Sequence, residues 1–342
     1  MMPLITRTIM SRPLARAAGA LALLFAAAVT TAANAQSADK YPDKPITITV
    51  GFAPGGTSDV AARILAERLT QSLKTTVLVD NKPGAAGSIA ATATARAAPD
   101  GYKFMLSDPG AFAINPIAMP QNARYDPLAD FTPIALVGQS PLVLVVPSNR
   151  PFSTAKALND HLKANASTAN YASSGSAGIS QFGAEVYLKR AGDLSALHVP
   201  YRGGAPMMEA LAKGETDFGV AVLASAMTMI EAGNVRPLAL AAPSATPAVA
   251  KVPLLGQLGL PGATMTSWVI MIGPRGLPPE IVDRLNKAIN DAIADPVVQE
   301  RLLKAGIETY KPATPAETGA YLKQEVERYK AYQSELGDRL TK

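Results

Sequence analysis

Cysteine is absent from the 342 residues, histidine occurs only twice and tryptophan once. Without cysteine there is no disulfide, no thiolate nucleophile, no cysteine metal site, and no acylated cysteine of a lipid-anchored secreted protein. His161 and His198 are too few for a histidine metal site or a triad. His161 lies mid-helix in LNDHLKAN and reads as a surface residue, and His198, beside VPYRG, reads as structural. No Gly-x-Ser-x-Gly elbow, Walker A lysine or Gly-x-Gly-x-x-Gly occurs. Ser153 and Lys156 have the Ser-x-x-Lys spacing of penicillin-binding enzymes, but the companion motifs are missing, so Ser153 reads as a helix cap. Only 17% of residues are charged, and the basic ones are spread along helices without interleaved aromatics. Nucleic acid is therefore not an expected partner. No metal, cofactor or catalytic residue is expected.

Apolar residues make up 48% of the chain, enough for sizeable cores, and the length suits two domains. Arg7, Arg12 and Arg16 precede an apolar run, Ala17 to Val29, and Ala33-Asn34-Ala35 forms a small-x-small cleavage site. The run is too short to span a bilayer, so residues 1–35 read as a signal peptide cleaved after Ala35. Export to the periplasm follows. Removing three arginines and no acid lowers the net charge from +5 to +2.

The rest of the chain alternates strand-like and helix-like segments, the pattern of an α/β fold with mostly parallel sheets flanked by helices. ITITV, TVLVD and YKFMLSD alternate with helices in the first part, and a strand, SPLVLVVPS (140–148), opens a second set. Residues 243–264 turn rich in Pro, Gly and Ala, SWVIMIGP (267–274) follows, and the tail is helical. A tail with one strand cannot build its own sheet and must return to the first. The expected layout is a discontinuous first lobe, residues 36–140 plus 265–342, and a second lobe, residues 141–264. A ligand cleft would lie between them.

Four small-residue turns follow strands. Pro54-Gly55-Gly56-Thr57-Ser58-Asp59 leads into a helix whose first-turn N–H groups and positive macrodipole end suit an anion. Asn81-Lys82-Pro83-Gly84-Ala85-Ala86-Gly87-Ser88 repeats the device, as do Ser107-Asp108-Pro109-Gly110 and the run Ser173-Ser174-Gly175-Ser176-Ala177-Gly178-Ile179-Ser180. In open α/β sheets ligands bind at such carboxyl ends of strands. Asp59 reads more simply as a dipole partner than as a catalytic acid, and Asp217, opening a strand in KGETDFGV, as a loop anchor or ligand acceptor. The methionines of SAMTMIEA read as core. A hydrolase using Ser58 or Ser176 would need a base within hydrogen-bond reach, which the sequence does not offer.

The ordered motifs YPDKPITITVGFAPGGTSDVAAR, VDNKPGAAGSIA, APDGYKFMLSD, YASSGSAGIS, HVPYRGGAP and LAKGETDFGV resemble the Bug family across nearly the whole mature chain. These are periplasmic substrate-binding proteins of tripartite tricarboxylate transporters (TTT systems). The resemblance implies a two-lobed, type II-like periplasmic binding protein fold closing like a Venus flytrap on a small carboxylate: a di- or tricarboxylate, an acidic amino acid or an aromatic acid. It implies a monomer that delivers its ligand to a membrane permease or, alternatively, presents it to a signalling receptor. Its implied contacts fall on Pro54, Gly55, Gly56, Thr57, Ser58 and Asp59 of the first loop. Asn81, Gly84 and Ala85 form the second, with Ser107 beyond it. Ser173, Ser174, Gly175, Ser176 and Gly178 form the opposite turn, joined by Tyr201 and Asp217. GFAPGG departs from members with a bulkier or more polar residue before the glycine pair.

Overall fold

The segment FTPIALVGQSPLVLVVP carries three prolines, yet it runs as one 17-residue strand through the middle of the sheet. The computed structural model describes residues 41–260 and 264–341, so the expected signal peptide, 1–35, lies outside the described residues. Lys44–Lys342 forms one compact unit. It begins with β1 (Ile46–Val50), α1 (Thr57–Leu73), β2 (Val77–Asn81), α2 (Ser88–Ala95) and β3 (Lys103–Ser107). A π-helical turn, Gly110–Ile114, passes into the short α3 (Asn115–Ala118). Next come β4 (Phe131–Pro147), α4 (Ala155–Ala164), β5 (Asn170–Ser173), α5 (Ile179–Arg190) and β6 (Leu197–Pro200). They are followed by α6 (Gly204–Lys213), β7 (Phe218–Val222), α7 (Leu223–Glu231) and β8 (Val235–Ala241). The chain ends with β9 (Thr266–Pro274), α8 (Pro279–Ala294), α9 (Pro296–Lys304), β10 (Glu308–Thr309) and α10 (Pro315–Leu336).

The sheet order is β2-β1-β3-β9-β4-β7-β5-β6, with β8 and β10 also paired to β4. Strands joined by a helical crossover pair in parallel: β1 with β2 and β3, and β5 with β6 and β7. The strands between these two sets are antiparallel, β9 with β3 and β4, and β7 and β8 with β4. The α/β class holds, and the parallel sets are joined through a mixed centre.

Sequence reading assigns a strand only to residues 140–148, and prolines, which lack the N–H that a central strand donates, recur along the observed strand. The structure resolves the conflict locally. Pro133 sits at a register shift against β9, and Pro141 is the last residue paired with β9 before Leu142 takes β7 and β8 as partners. Pro133 and Pro141 thus fall where the ladder is already interrupted, and Pro147 is the last residue of the strand.

The terminal helices return to β4. Ile281, Leu285, Ile289 and Ile293 recur at every fourth position of α8 and are all buried. Asn286 fixes the register, donating from Nδ2 to the Ile134 carbonyl at 2.7 Å and the Ala313 carbonyl at 2.8 Å. Trp268 is fully buried and donates from Nε1 to Glu325 of α10 at 2.7 Å, so it belongs to the core. Phe112 packs edge-on against it, with ring centroids 6.1 Å apart.

Gly138 shows how tight the centre is. A Cβ there would lie 2.9 Å from the Glu308 carbonyl oxygen and 2.8 Å from Ile307 Cγ2, where β10 crosses β4. Gly138→Val should therefore lower the unfolding free energy by about 2 kcal/mol, seen as an earlier urea midpoint by circular dichroism. An unchanged midpoint would mean that β10 shifts freely.

Candidate ligand-binding site

The carboxyl ends of β1, β3, β5 and β7 open into one central cavity. After β1 its wall is Phe52, Gly56, Thr57 and Ser58, and after β3 it is Asp108. The loop after β5 supplies Ser174, Ile179 and Ser180. Gly204, Met207, Val222 and Ser225 come from the starts of α6 and α7, and Ser267 from β9. A second cavity shares Phe52 and Ser174 with it and continues past Gly84, Ala85, Gly175, Ser176 and Tyr201.

Three helices begin at the central cavity on glycine: Gly56 for α1, Gly178 for α5 and Gly203 for α6. Glycine has no side-chain acceptor, so none of the three starts carries a side-chain cap. The intrahelical ladders open with Val60 N–H to Gly56, Phe182 N–H to Gly178 and Met207 N–H to Gly203. The amides ahead of those bonds lie outside the ladder, at the positive end of each macrodipole. Three helices that start elsewhere differ, Thr154, Asp295 and Thr314 capping α4, α9 and α10 with their own oxygens, although α2 on Gly87 and α8 on Pro278 also start without a side-chain cap. (Thr154, not Ser153, therefore caps α4.) The start of α7 is intermediate, with Ala224 N–H donating to Ser140 Oγ at 3.1 Å.

Hydroxyl groups complete the wall. Thr57 Oγ1 is buried without a partner. Ser180 Oγ accepts the Ser174 amide at 2.7 Å and pairs with Ser174 Oγ at the same distance. Among the described residues no lysine, arginine or histidine lines this cavity. Its one ionisable side chain is Asp108, which is 6% exposed and accepts the Ala111 amide at 2.9 Å. Burial raises the Asp108 carboxyl to about 7, against the amides of Ala111 and Gly110, which pull it down.

The structure divides the residues expected from sequence into wall and support. Gly56, Thr57, Ser58 and Ser174 meet in the central cavity, and Gly84, Ala85, Gly175, Ser176 and Tyr201 line the second. Pro54 and Gly55 shape the first loop, and the Gly55 amide donates to Asp59 Oδ2 at 2.9 Å. Asp59 is turned away from the cavity: Arg63 grips it from both Nε and Nη2, and Asn81 Nδ2 reaches its Oδ1 at 2.9 Å. Asn81 also donates to the Phe52 carbonyl at 3.0 Å, so both residues brace the loop. Ser107 and Ser173 are fully buried behind the wall, and Gly178 caps α5.

Asp217 is not brought to the site. It stands at the amino-terminal ends of β5 and β7, where it pairs with Arg150 at 3.1 Å and accepts the Asn170 amide at 3.1 Å. The cavity lies at the opposite ends of those strands, so Asp217 ties two strand starts together. His198 stacks on Tyr171 with ring centroids 5.0 Å apart and pairs through Nε2 with Ser173 Oγ at 2.6 Å. Burial lowers its pKa to about 4. That histidine serves neither Ser58 nor Ser176, the serines a hydrolase would use. Among the described residues no cluster of three metal-ligating side chains exists.

Asp108, Gly204, Ser225 and Ser267 escape the sequence reading, whereas Ser180, the end of the turn read from Ser173, does line the wall. Asp108 is the neighbour of Ser107 in a quoted turn, and Gly204 stands in the quoted YRGGAP. Ser225 carries no signal, because α7 follows β7 without any glycine-rich turn, and Ser267 arrives from a distant strand.

Residues 61–337 match the sequence profile of the tripartite tricarboxylate transporter family receptor. The chain belongs to that family. It is 32% identical over 304 residues to BugT of Bordetella pertussis, spanning 89% of this chain and 93% of BugT. The solved periplasmic binding protein BugD superposes with a TM-score of 0.83 at 32% identity, over 87% of this receptor and 99% of BugD. Rpa4515 of R. palustris, solved with adipate, gives 0.83 at 29% identity over 87% of this receptor and 98% of that chain. MatC of Rhodopseudomonas palustris, solved with bound malate, gives 0.82 at 28% identity over 85% of this receptor and 99% of MatC.

The Asp59 brace makes a pH-dependent prediction. Burial works against its charge, but hydrogen bonds from Arg63, Gly55 and Asn81 outweigh it and hold the carboxyl below its usual range. Arg63 is half exposed, so solvent screens part of its share of that stabilisation. A carboxyl with a lowered folded pKa contributes stability above about pH 4 and loses it as pH falls through the folded value. Asp59→Asn should cost about 1–3 kcal/mol at neutral pH, with the gap to wild type closing in acid. Urea unfolding at several pH values measures this, and a gap independent of pH would remove the charge from the explanation.

Proposed function

We propose that this receptor is exported to the periplasm, captures a small organic carboxylate without transforming it, and delivers it to a TTT-type membrane permease. The observation that carries the reading is the ring of uncapped, glycine-started helix N-termini around a cavity with no cationic side chain. Such amides need acceptors, and a carboxylate offers two oxygens with about four lone pairs. A hydrogen bond to a charged group contributes about 1.5–3 kcal/mol, so three or four offset much of the cost of removing a carboxylate from water. The likeness to proteins solved with adipate and with malate supports the same ligand class. The wall's one titratable side chain, Asp108, is held by backbone amides rather than by a serine hydroxyl, which suits carriage better than hydrolysis.

Residues 36–140 plus 265–342 and residues 141–264 act, in this reading, as two lobes that meet where β4 changes partners after Pro141. The loops after β1 and β6 touch directly, the Ala53 amide donating to the Arg202 carbonyl at 3.2 Å. A ligand would reach the cavity only when these loops part, and its bonds to both sides would hold them together. One chain supplies the whole wall, in keeping with a monomer.

A thermal-shift series with succinate, malate, adipate, citrate and aromatic acids tests the ligand class, since a ligand at a hundred times its Kd adds ~2.7 kcal/mol to stability. Gly56→Asp separates binding from folding. A Cβ at Gly56 meets nothing closer than 3.6 Å, and aspartate is a good N-cap, so the variant should melt no lower than wild type. Its carboxylate would occupy the anion position, and calorimetry should detect no binding. Undiminished affinity would move the ligand elsewhere. Thr57→Val should fold normally and bind about tenfold more weakly, the loss of one hydroxyl donor.

A further inference from the structure

The polar part of the cavity wall is built of amides and hydroxyls with one exception. Asp108 is nine-tenths buried, faces the cavity, and has backbone amides of Gly110 and Ala111 as its hydrogen-bond donors. An ionised Asp108 would repel the anion that every neighbouring group attracts. We infer that Asp108 holds its ligand as an acid, its protonated carboxyl donating to a ligand carboxylate oxygen, so that capture of an anion in mildly alkaline solution takes up a proton from solvent. The inference rests on the carboxylate reading above and adds to it a class of ligand: one that turns a carboxylate, rather than a hydroxyl or ammonium donor, toward Asp108.

The surroundings leave no other group to take that proton. From α1, Asp59 points to Gly55, Arg63 and Asn81. From the segment before β4, Tyr125 is buried against Ser88 and the Ala111 carbonyl, and its pKa is raised well above the ordinary phenol value, so it stays neutral. The loops after β5 and β7 and the strand β9 present Ser174, Ser180, Ser225 and Ser267, none of which titrates. Two carboxyls in a site without a cation share a proton, as in paired-carboxyl sites generally. The proton comes from solvent onto Asp108, no bond to the ligand's carbon breaks, and release of the ligand returns it. A midpoint near 7 makes the protonated form accessible at neutral pH.

Isothermal titration of succinate, glutarate, adipate and malate into the whole mature protein tests this at about pH 5.5 and about pH 8.5, each in two buffers that hold that pH and differ in ionisation enthalpy, with the acid's own second ionisation subtracted. The donor-free acid that binds should show near-zero proton uptake at the lower pH and about one proton at the higher, read from the buffer dependence of the enthalpy. Its Kd should weaken about tenfold per pH unit above about pH 7. Asp108→Asn, which keeps the acceptor for Ala111 and supplies a permanent N–H donor, should bind more tightly than wild type at the higher pH and lose the pH dependence. A flat profile with no proton uptake in wild type overturns the inference and leaves the receptor reading intact. So does binding of malate alone without proton uptake, because Asp108 would then accept from the ligand hydroxyl. Failure of all four acids to bind at either pH overturns this inference, because they represent the ligand class it names, and leaves the receptor reading to the thermal-shift series with citrate and aromatic acids.

Discussion

Peptide N–H groups buried at a helix start must find acceptors, and in this receptor three helix starts leave that need unfilled at the same place. Gly56, Gly178 and Gly203 offer no side-chain oxygen, whereas Thr154, Asp295 and Thr314 satisfy helices that begin away from the cavity. The contrast is chemical, since a serine or aspartate at any of the three glycines would fill with its own oxygen the position a ligand oxygen needs. Glycine keeps the anion position open and permits close approach.

Everything else in the fold serves to hold those starts in register. The strands β1, β3, β5 and β7 deliver their carboxyl ends to one cavity because β4 and β9 join two parallel sets into a single sheet. β4 does this with Pro133 at a register shift, Pro141 at its change of partners and Pro147 at its end. The long helices α8 and α10 shield the sheet, and Asn286 and the Trp268–Glu325 pair tie them to its centre. Around the first loop, the Asp59–Arg63–Asn81 cluster fixes the backbone from outside, so a negative charge supports the site without entering it.

A cavity of neutral donors suits reversible carriage. A lysine or arginine would bind a carboxylate strongly but would stand unpaired when the site is empty, and charges buried without partners are costly. Amides at helix starts and hydroxyls are solvated cheaply by water when the loops part, and they regain strong partners on ligand binding. Asp108 is the exception to that economy. Its proton gives the receptor a charge balance that an all-donor wall lacks.

Much of this was legible in the sequence for reasons of local physics. Strand runs such as ITITV, the glycine turn PGGTSD and the terminal amphipathic helices announce themselves through periodicity and turn chemistry, which depend on neighbours in the chain. The family motifs lie in those same local segments, and the family profile and related structures agree with them. The sequence could not separate wall from brace. Asp59 and Asn81 sit in the right loops but turn outward to Arg63 and the Phe52 carbonyl, while Asp108, one residue past Ser107, turns inward. Asp217 looks like a site acid until the parallel pairing of β5 and β7 places it at the wrong end of both strands. Ser225 and Ser267 reach the cavity by packing across the sheet, and the length of β4 depends on partners far along the chain. Local chemistry determined which turns could hold an anion; strand direction and side-chain facing, set by contacts distant in sequence, decided which residues do so.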